Sequence, residues 1–169
     1  SLISSGEINR ILVALLLAPA LEEGLKVLAW LLVVLFWGGK GNRTVLFGLA
    51  LAAAMGFVLT ENFLYYYESA NSGNQANWGS LILFRTFCTV PMHALTGVLP
   101  AMFWVDHEGR RRLAGILGGV LLAIVVHTIW NGVALWWEQN LPGFLLTAAA
   151  AVLWIGLAAA AIHTRLYKD

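Results

Sequence analysis

The sequence predicts an all-α, multi-pass transmembrane bundle of about five spans, with the N-terminus outside and the C-terminus in the cytoplasm. Three observations carry this prediction. Of the 169 residues, 60% are hydrophobic and only 11% are charged, whereas a soluble domain carries about 25% charged residues. Apolar runs recur at lengths near the roughly 20 helical residues needed to cross about 30 Å of hydrocarbon. Lys and Arg gather in alternate loops, and the positive-inside rule turns that asymmetry into an orientation.

The first span runs from Ile8 to Trp37. It is long, so a tilt or a bend near Pro19 is expected. Glycine-rich Gly38 to Arg43 closes it, and the second span runs from about Thr44 to Tyr67. The polar loop Ser69 to Gly79 leads into a third span, Ser80 to Val105, which contains Pro91 and Pro100. A charged loop, Asp106 to Arg112, precedes the fourth span, Leu113 to Trp137. After Glu138 to Pro142, an alanine-rich fifth span covers Gly143 to Ile162. Nothing in the composition divides the chain, so residues 1–169 read as one transmembrane domain.

Lys40, Arg43, Arg110 to Arg112, Arg165 and Lys168 fall on one side, and the other two loops carry no Lys or Arg. The first and third loops and the C-terminus are therefore cytoplasmic. Tyr65, Tyr66, Tyr67, Trp78, Trp136 and Trp137 fall near the outer boundary, where aromatic residues anchor a bundle. Small residues at four-residue spacing, Gly48, Ala52 and Gly56 on one span and Gly115 and Gly119 on another, suggest close-packing faces. No basic stripe marks a nucleic-acid partner, and the single cysteine, Cys88, excludes an internal disulfide or a cysteine-built metal site. The chain opens on Ser and not Met, which is compatible with a leader or anchor ahead of it.

The polar residues inside the spans are the chemically informative part. The first carries Glu22, Glu23 and Lys26, the second Glu61 and Asn62, the third Arg85 and His93, the fourth His127 and Asn131. Each charge at mid-membrane costs about 2.5–3.5 kcal/mol on insertion scales, so such residues turn toward one another and mark function. Glu22 and Lys26 are four apart and are expected to pair; Glu61 with Tyr65, and His127 with Asn131, share faces in the same way. Arg85, Thr89 and His93 form a further line. At about 1.5 Å per residue, all these groups reach one layer near mid-membrane, leaning outward. Three acids face two bases. Either one carboxyl is protonated, or a protonated histidine or a metal ion balances the excess.

Two chemistries fit. A glutamate can take a proton from water, while His and Asn donate hydrogen bonds to the developing oxyanion. Alternatively His93, His127, Glu23 and Glu61 are candidate ligands for a divalent metal such as zinc. Spacing does not choose between Glu22 and Glu23 as the base. Arg85 reads as an ion-pair partner for Glu22 or Glu61, and Asn62 and Tyr65 as supporting groups around the centre. His107 and His163 sit at or beyond the boundaries.

The motifs Glu22-Glu23-x-x-Lys26, Glu61-Asn62-x-x-Tyr65, Pro91-Met92-His93-Ala94 and His127-x-x-x-Asn131 together resemble the PrsW family of intramembrane proteases, within the broader clan of CAAX prenyl proteases and bacterial CPBP proteins. The prenyl proteases carry Glu-Glu-x-x-x-Arg and Phe-x-x-x-His. Here the base is Lys26, one position earlier, and position 89 is Thr. That departure favours the PrsW branch and argues against a prenylated peptide. The resemblance implies a prokaryotic cell-membrane endopeptidase, glutamic or metal-dependent. Its substrate would be a single-span membrane protein of the anti-sigma-factor kind, cut at site 1. Glu22 and Glu23 would be the catalytic acids, Glu61, His93 and His127 would complete the centre, and Asn131 would help to bind the oxyanion. Two other readings stay open: a non-proteolytic partner-binding or immunity protein of the same clan, and, with less support because no inverted repeat is seen, an ion-coupled transporter.

Overall fold

The computed structural model describes residues 5–37, 42–72, 78–105 and 111–137, together with Leu153 and Thr164. The described residues are helical almost throughout. The first element is α1 (Ser5–Leu12), followed by a π-helical turn (Val13–Leu17) and α2 (Ala18–Phe36). Then come α3 (Arg43–Asn71) and α4 (Trp78–Phe84). A second π-helical turn (Arg85–Thr89) joins α4 to α5 (Val90–Val105), and α6 is Arg111–Trp137. Three described helices are long and apolar enough to cross a membrane: Arg43–Asn71, Trp78–Val105 and Arg111–Leu135. The chain is an integral membrane protein. The first predicted span is also helical from Ser5 to Phe36, with Glu22, Glu23 and Lys26 in its middle. The fifth predicted span, His107, His163 and the basic C-terminal residues lie outside the described residues.

Local chemistry sets the helix boundaries. The Asn42 side chain caps α3 by accepting a hydrogen bond from the Thr44 N–H at 3.0 Å, which satisfies one of the orphan donors of the first turn. The bend expected near Pro19 takes a specific form. Proline lacks an N–H, and its ring clashes with the carbonyl four residues back. Helices relieve that conflict by widening one turn. Here the widened turn ends two residues before the proline. The Ala18 N–H reaches back to the Val13 carbonyl. Pro91 has the same arrangement: the Val90 N–H reaches the Arg85 carbonyl. Thus both helices that carry the key acids and His93 contain a Pro-linked π turn.

In lipid, apolar burial does little to hold helices together, so close packing and interhelical hydrogen bonds do the work. Two apolar clusters flank a polar layer. One gathers Trp30, Phe47, Val98, Met102 and Ile116. The other gathers Phe84, Cys88, Met92 and Trp130. Along α5, Met92 belongs to one and Val98 to the other, with His93 and Thr96 buried between them.

The glycine faces differ from expectation. A methyl group at Gly48 or Gly56 would meet nothing within 4 Å, so that stripe of α3 is not a packing face among the described residues. Close approach occurs at Gly119, as expected, and at Gly97, which spacing did not single out. A methyl at Gly119 would lie 2.6 Å from the Pro100 Cα and 3.1 Å from the Leu99 carbonyl, and one at Gly97 would overlap the Ala54 methyl. Backbone cannot yield as a side-chain tip can. Gly119→Ala is therefore expected to destabilise the α5–α6 contact by about 1–3 kcal/mol, while Gly56→Ala leaves stability unchanged. Unfolding of both variants in mixed micelles checks this, and equal stability of the two would contradict it.

Candidate active site

Polar residues of α2, α3, the second π turn, α5 and α6 come together around a cavity of about 230 Å³, with Glu23, Lys26 and Asn62 behind its wall. Its walls include Glu22, Glu61, Tyr65, Arg85, Thr89, His93, His127 and Asn131. The line Arg85, Thr89, His93 faces this cavity along its whole length. The His93 and His127 rings lie perpendicular, with centroids 4.9 Å apart.

The two adjacent glutamates occupy different environments. Glu23 is 1% exposed, and its Oε1 is a hub. Oε1 accepts from Lys26 Nζ at 2.7 Å, from Thr96 Oγ1 at 3.0 Å and from His127 Nδ1 at 2.7 Å. Glu22 lies on the neighbouring face with its side chain 18% exposed, and its Oε2 is 3.6 Å from His127 Nε2. That buried oxygen has no hydrogen-bond partner. The expected Glu22–Lys26 pair is therefore replaced by Glu23–Lys26. Residues three and four apart stack equally well on a helix, and the fully buried face of α2 is the one that carries Glu23 and Lys26.

Hydrogen-bond chemistry fixes what the histidines present. An ammonium only donates and a carboxylate only accepts. Lys26 Nζ lies 2.7 Å from His93 Nδ1, so Nδ1 accepts and Nε2 carries the proton of the neutral ring. His93 Nε2 in turn lies 3.0 Å from Glu61 Oε2. His127 is the reverse: Nδ1 donates to Glu23, and in the neutral ring Nε2 is then a bare lone pair facing Glu22.

Arg85 takes the structural place expected of it. Its Nη2 is 3.0 Å from Glu61 Oε1, and its Nε donates to Asn62 Oδ1 at 2.6 Å. Tyr65 stacks under the guanidinium, 3.7 Å from ring centroid to Cζ. A cation over an aromatic face contributes about 0.5–2 kcal/mol. Asn131 lines the cavity but spends one N–H elsewhere, donating from Nδ2 to the Ala14 carbonyl at 2.9 Å. Two contributors escaped sequence reading. Thr96 sits three residues after His93 and extends the same helical line, a signal that could have been followed. Thr128 donates to the Leu15 carbonyl at 2.7 Å and has no sequence signature beyond its place next to His127.

The donor set suits a divalent metal. Glu22, His93 and His127 each offer a ligand atom, all within 4.8 Å of one another. Two imidazoles and one carboxylate are a recurrent zinc-hydrolase set. Glu22 stands here where Glu23 or Glu61 was expected. Glu23 instead holds the far nitrogen of His127, the carboxylate–histidine support that metal-bound imidazoles ordinarily have. Glu22 Oε2 is a buried acceptor without a hydrogen-bond donor, as an acidic site prepared for a cation requires.

Transmembrane helices walling an acid–imidazole chamber define a polytopic membrane protein with a buried polar centre. The profile of the PrsW family intramembrane metalloproteases matches residues 1–161, and the chain belongs to that family. Membership makes it an intramembrane protease. Neither a curated protein nor a solved structure matches the chain.

Proposed function

We propose that the chamber hydrolyses a peptide bond of a single-span, anti-sigma-factor-like membrane protein by site-1 cleavage, with Glu22 as the general base. The observation that carries this is the contrast between the two acids. The three donors of Glu23 all converge on its Oε1, and its unpartnered Oε2 is buried away from the cavity lining, while Glu22 keeps a buried, unpartnered oxygen on the cavity wall. A base must have a free lone pair within reach of the water it deprotonates.

In this mechanism the Glu22 carboxylate takes a proton from water as the oxygen attacks the scissile carbonyl. The same proton then passes to the leaving amine. The second N–H of Asn131 is the donor placed to stabilise the oxyanion, a role worth about 2.7–4 kcal/mol in hydrolases, while the His93 Nε2–H is directed at Glu61. His127, with its Nε2 lone pair, assists Glu22 in holding the water. Glu61 orients His93, and Arg85 orients Glu61. Glu22, His93 and His127 would hold a metal such as zinc, each imidazole presenting a bare ring nitrogen to it. Such an ion supplies carbonyl polarisation and a more acidic water.

The substrate side is apolar. A groove of about 480 Å³ between α2 and α3 is lined by Leu25, Ala29, Ala53, Gly56, Phe57 and Leu64, and it shares Glu61 with the chamber. A membrane-embedded segment suits such a wall better than a soluble peptide does.

The test is reconstitution with a single-span anti-sigma-like protein in liposomes, followed by mass spectrometry of the products. One cut near the outer membrane boundary is expected, absent in Glu22→Gln. Paired metal analysis and chelation separate the two chemistries. Loss of activity on chelation, restored by zinc, identifies the metal route, and activity that survives complete metal removal identifies Glu22 acting alone. An intact substrate with wild-type protein under every condition would sink the proposal.

A further inference from the structure

The Pro-linked π turn in the first helix leaves two carbonyls without backbone partners. The Ala18 N–H is drawn to Val13, and Pro19 has no N–H to give. With the α register resumed in α2, the next donor, Ala20, addresses Leu16. The carbonyls skipped are those of Ala14 and Leu15. Inside a membrane no bulk water can take them, and an orphaned carbonyl there costs several kcal/mol.

These two carbonyls are the ones that α6 reaches. Thr128 Oγ1 donates to Leu15 at 2.7 Å, and Asn131 Nδ2 donates to Ala14 at 2.9 Å. Both donors follow His127 on the same helix, Thr128 by one residue and Asn131 by four. The acceptors lie just ahead of Glu22 and Glu23 on the other. The two bonds therefore fix the axial position and rotation of α6 against the first helix. That position places His127 Nδ1 at 2.7 Å from Glu23 and His127 Nε2 at 3.6 Å from Glu22.

We infer that Thr128 and Asn131 clamp the π turn and are positioning residues, holding His127 in register with the two glutamates. Asn131 then has a task distinct from oxyanion binding, and Thr128 joins the machinery although nothing in its motif marks it. The catalytic arm of the test rests on the protease reading above; the distance arm does not.

Thr128 allows a clean experiment, because valine is isosteric but cannot donate, while serine keeps the hydroxyl. Spin labels are placed at Leu16 and Ile129, both exposed on the outside of the bundle, in a Cys88→Ala background. Dipolar spectroscopy then reads the helix separation. The parent and Thr128→Ser are expected to give one narrow distance. Thr128→Val is expected to broaden it. In the cleavage assay Thr128→Val should lower kcat about 10- to 100-fold, since a misplacement of about 1 Å can cost 10²-fold, with KM unchanged and Thr128→Ser restoring the rate. Should Thr128→Val fail to assemble, Asn131→Leu carries the distance measurement in its place. A narrow, parental distance in the donor-free variant overturns the clamp. If no variant and no parent cleaves, the protease reading falls, and the distance distributions still decide the clamp.

Discussion

Replacing Glu22 with glutamine is expected to lower the cleavage rate by about 10²- to 10⁴-fold, the range for loss of a general base, with no loss of fold. Glu22 makes no hydrogen bond through Oε2 and faces the cavity. An amide of the same shape at that place removes the base and strands nothing. Glu23→Gln tests the other half of the argument. It swaps the shared acceptor oxygen for a neutral amide against the buried Lys26 ammonium. Breaking one side of a buried ion pair costs about 3–5 kcal/mol. The two variants should thus fail differently: Glu22→Gln stays folded and inactive, and Glu23→Gln melts early. Purified variants compared by thermal unfolding and by cleavage of the same single-span substrate give both readouts. A Glu22→Gln protein that cuts at the wild-type rate would remove Glu22 from the mechanism.

Much of this site is legible in the amino-acid sequence. A helix in lipid cannot leave Glu22, Glu23, Glu61, Arg85, His93 or His127 facing acyl chains, so their convergence follows from hydropathy alone. The outcome agrees: four helices contribute to one chamber. What the residue pattern could not decide was the choice between near-equivalent neighbours. Lys26 stacks as well on Glu22 as on Glu23. The choice came from the packing of α2 against Phe57, His93 and Thr96, all remote in sequence. The same limit applies to the glycine stripes. Gly48, Ala52 and Gly56 have the right spacing, yet close approach occurred at Gly97 and Gly119, because periodicity marks a face without saying what lies opposite. Pro19 announced a bend, but not its form as a π turn whose freed carbonyls are met by Thr128 and Asn131. That required knowing which helix lies alongside.

Lys26→Met carries the second large effect. Methionine is close to the volume of the lysine stem but donates nothing. The Lys26 ammonium now gives hydrogen bonds to Glu23 Oε1 and His93 Nδ1, both at 2.7 Å, and is 1% exposed. Its loss leaves a buried carboxylate short of its countercharge and a ring nitrogen without a donor. Destabilisation of about 3–5 kcal/mol is expected, measured by unfolding in mixed micelles. The double variant Glu23→Gln with Lys26→Met separates two causes. If the cost of each single variant is mostly a stranded charge, removing both partners should cost clearly less than the sum, by a coupling of about 0.5–3 kcal/mol. Thr96 and His127 would still find an acceptor in the amide oxygen that replaces the Glu23 carboxylate. Strictly additive costs would mean that Lys26 acts by shape, filling the space between α2 and α5. In that case His93 would owe its orientation to Glu61 and to the tilted contact with Phe57 at 5.8 Å, and not to a lysine reaching across from the first helix.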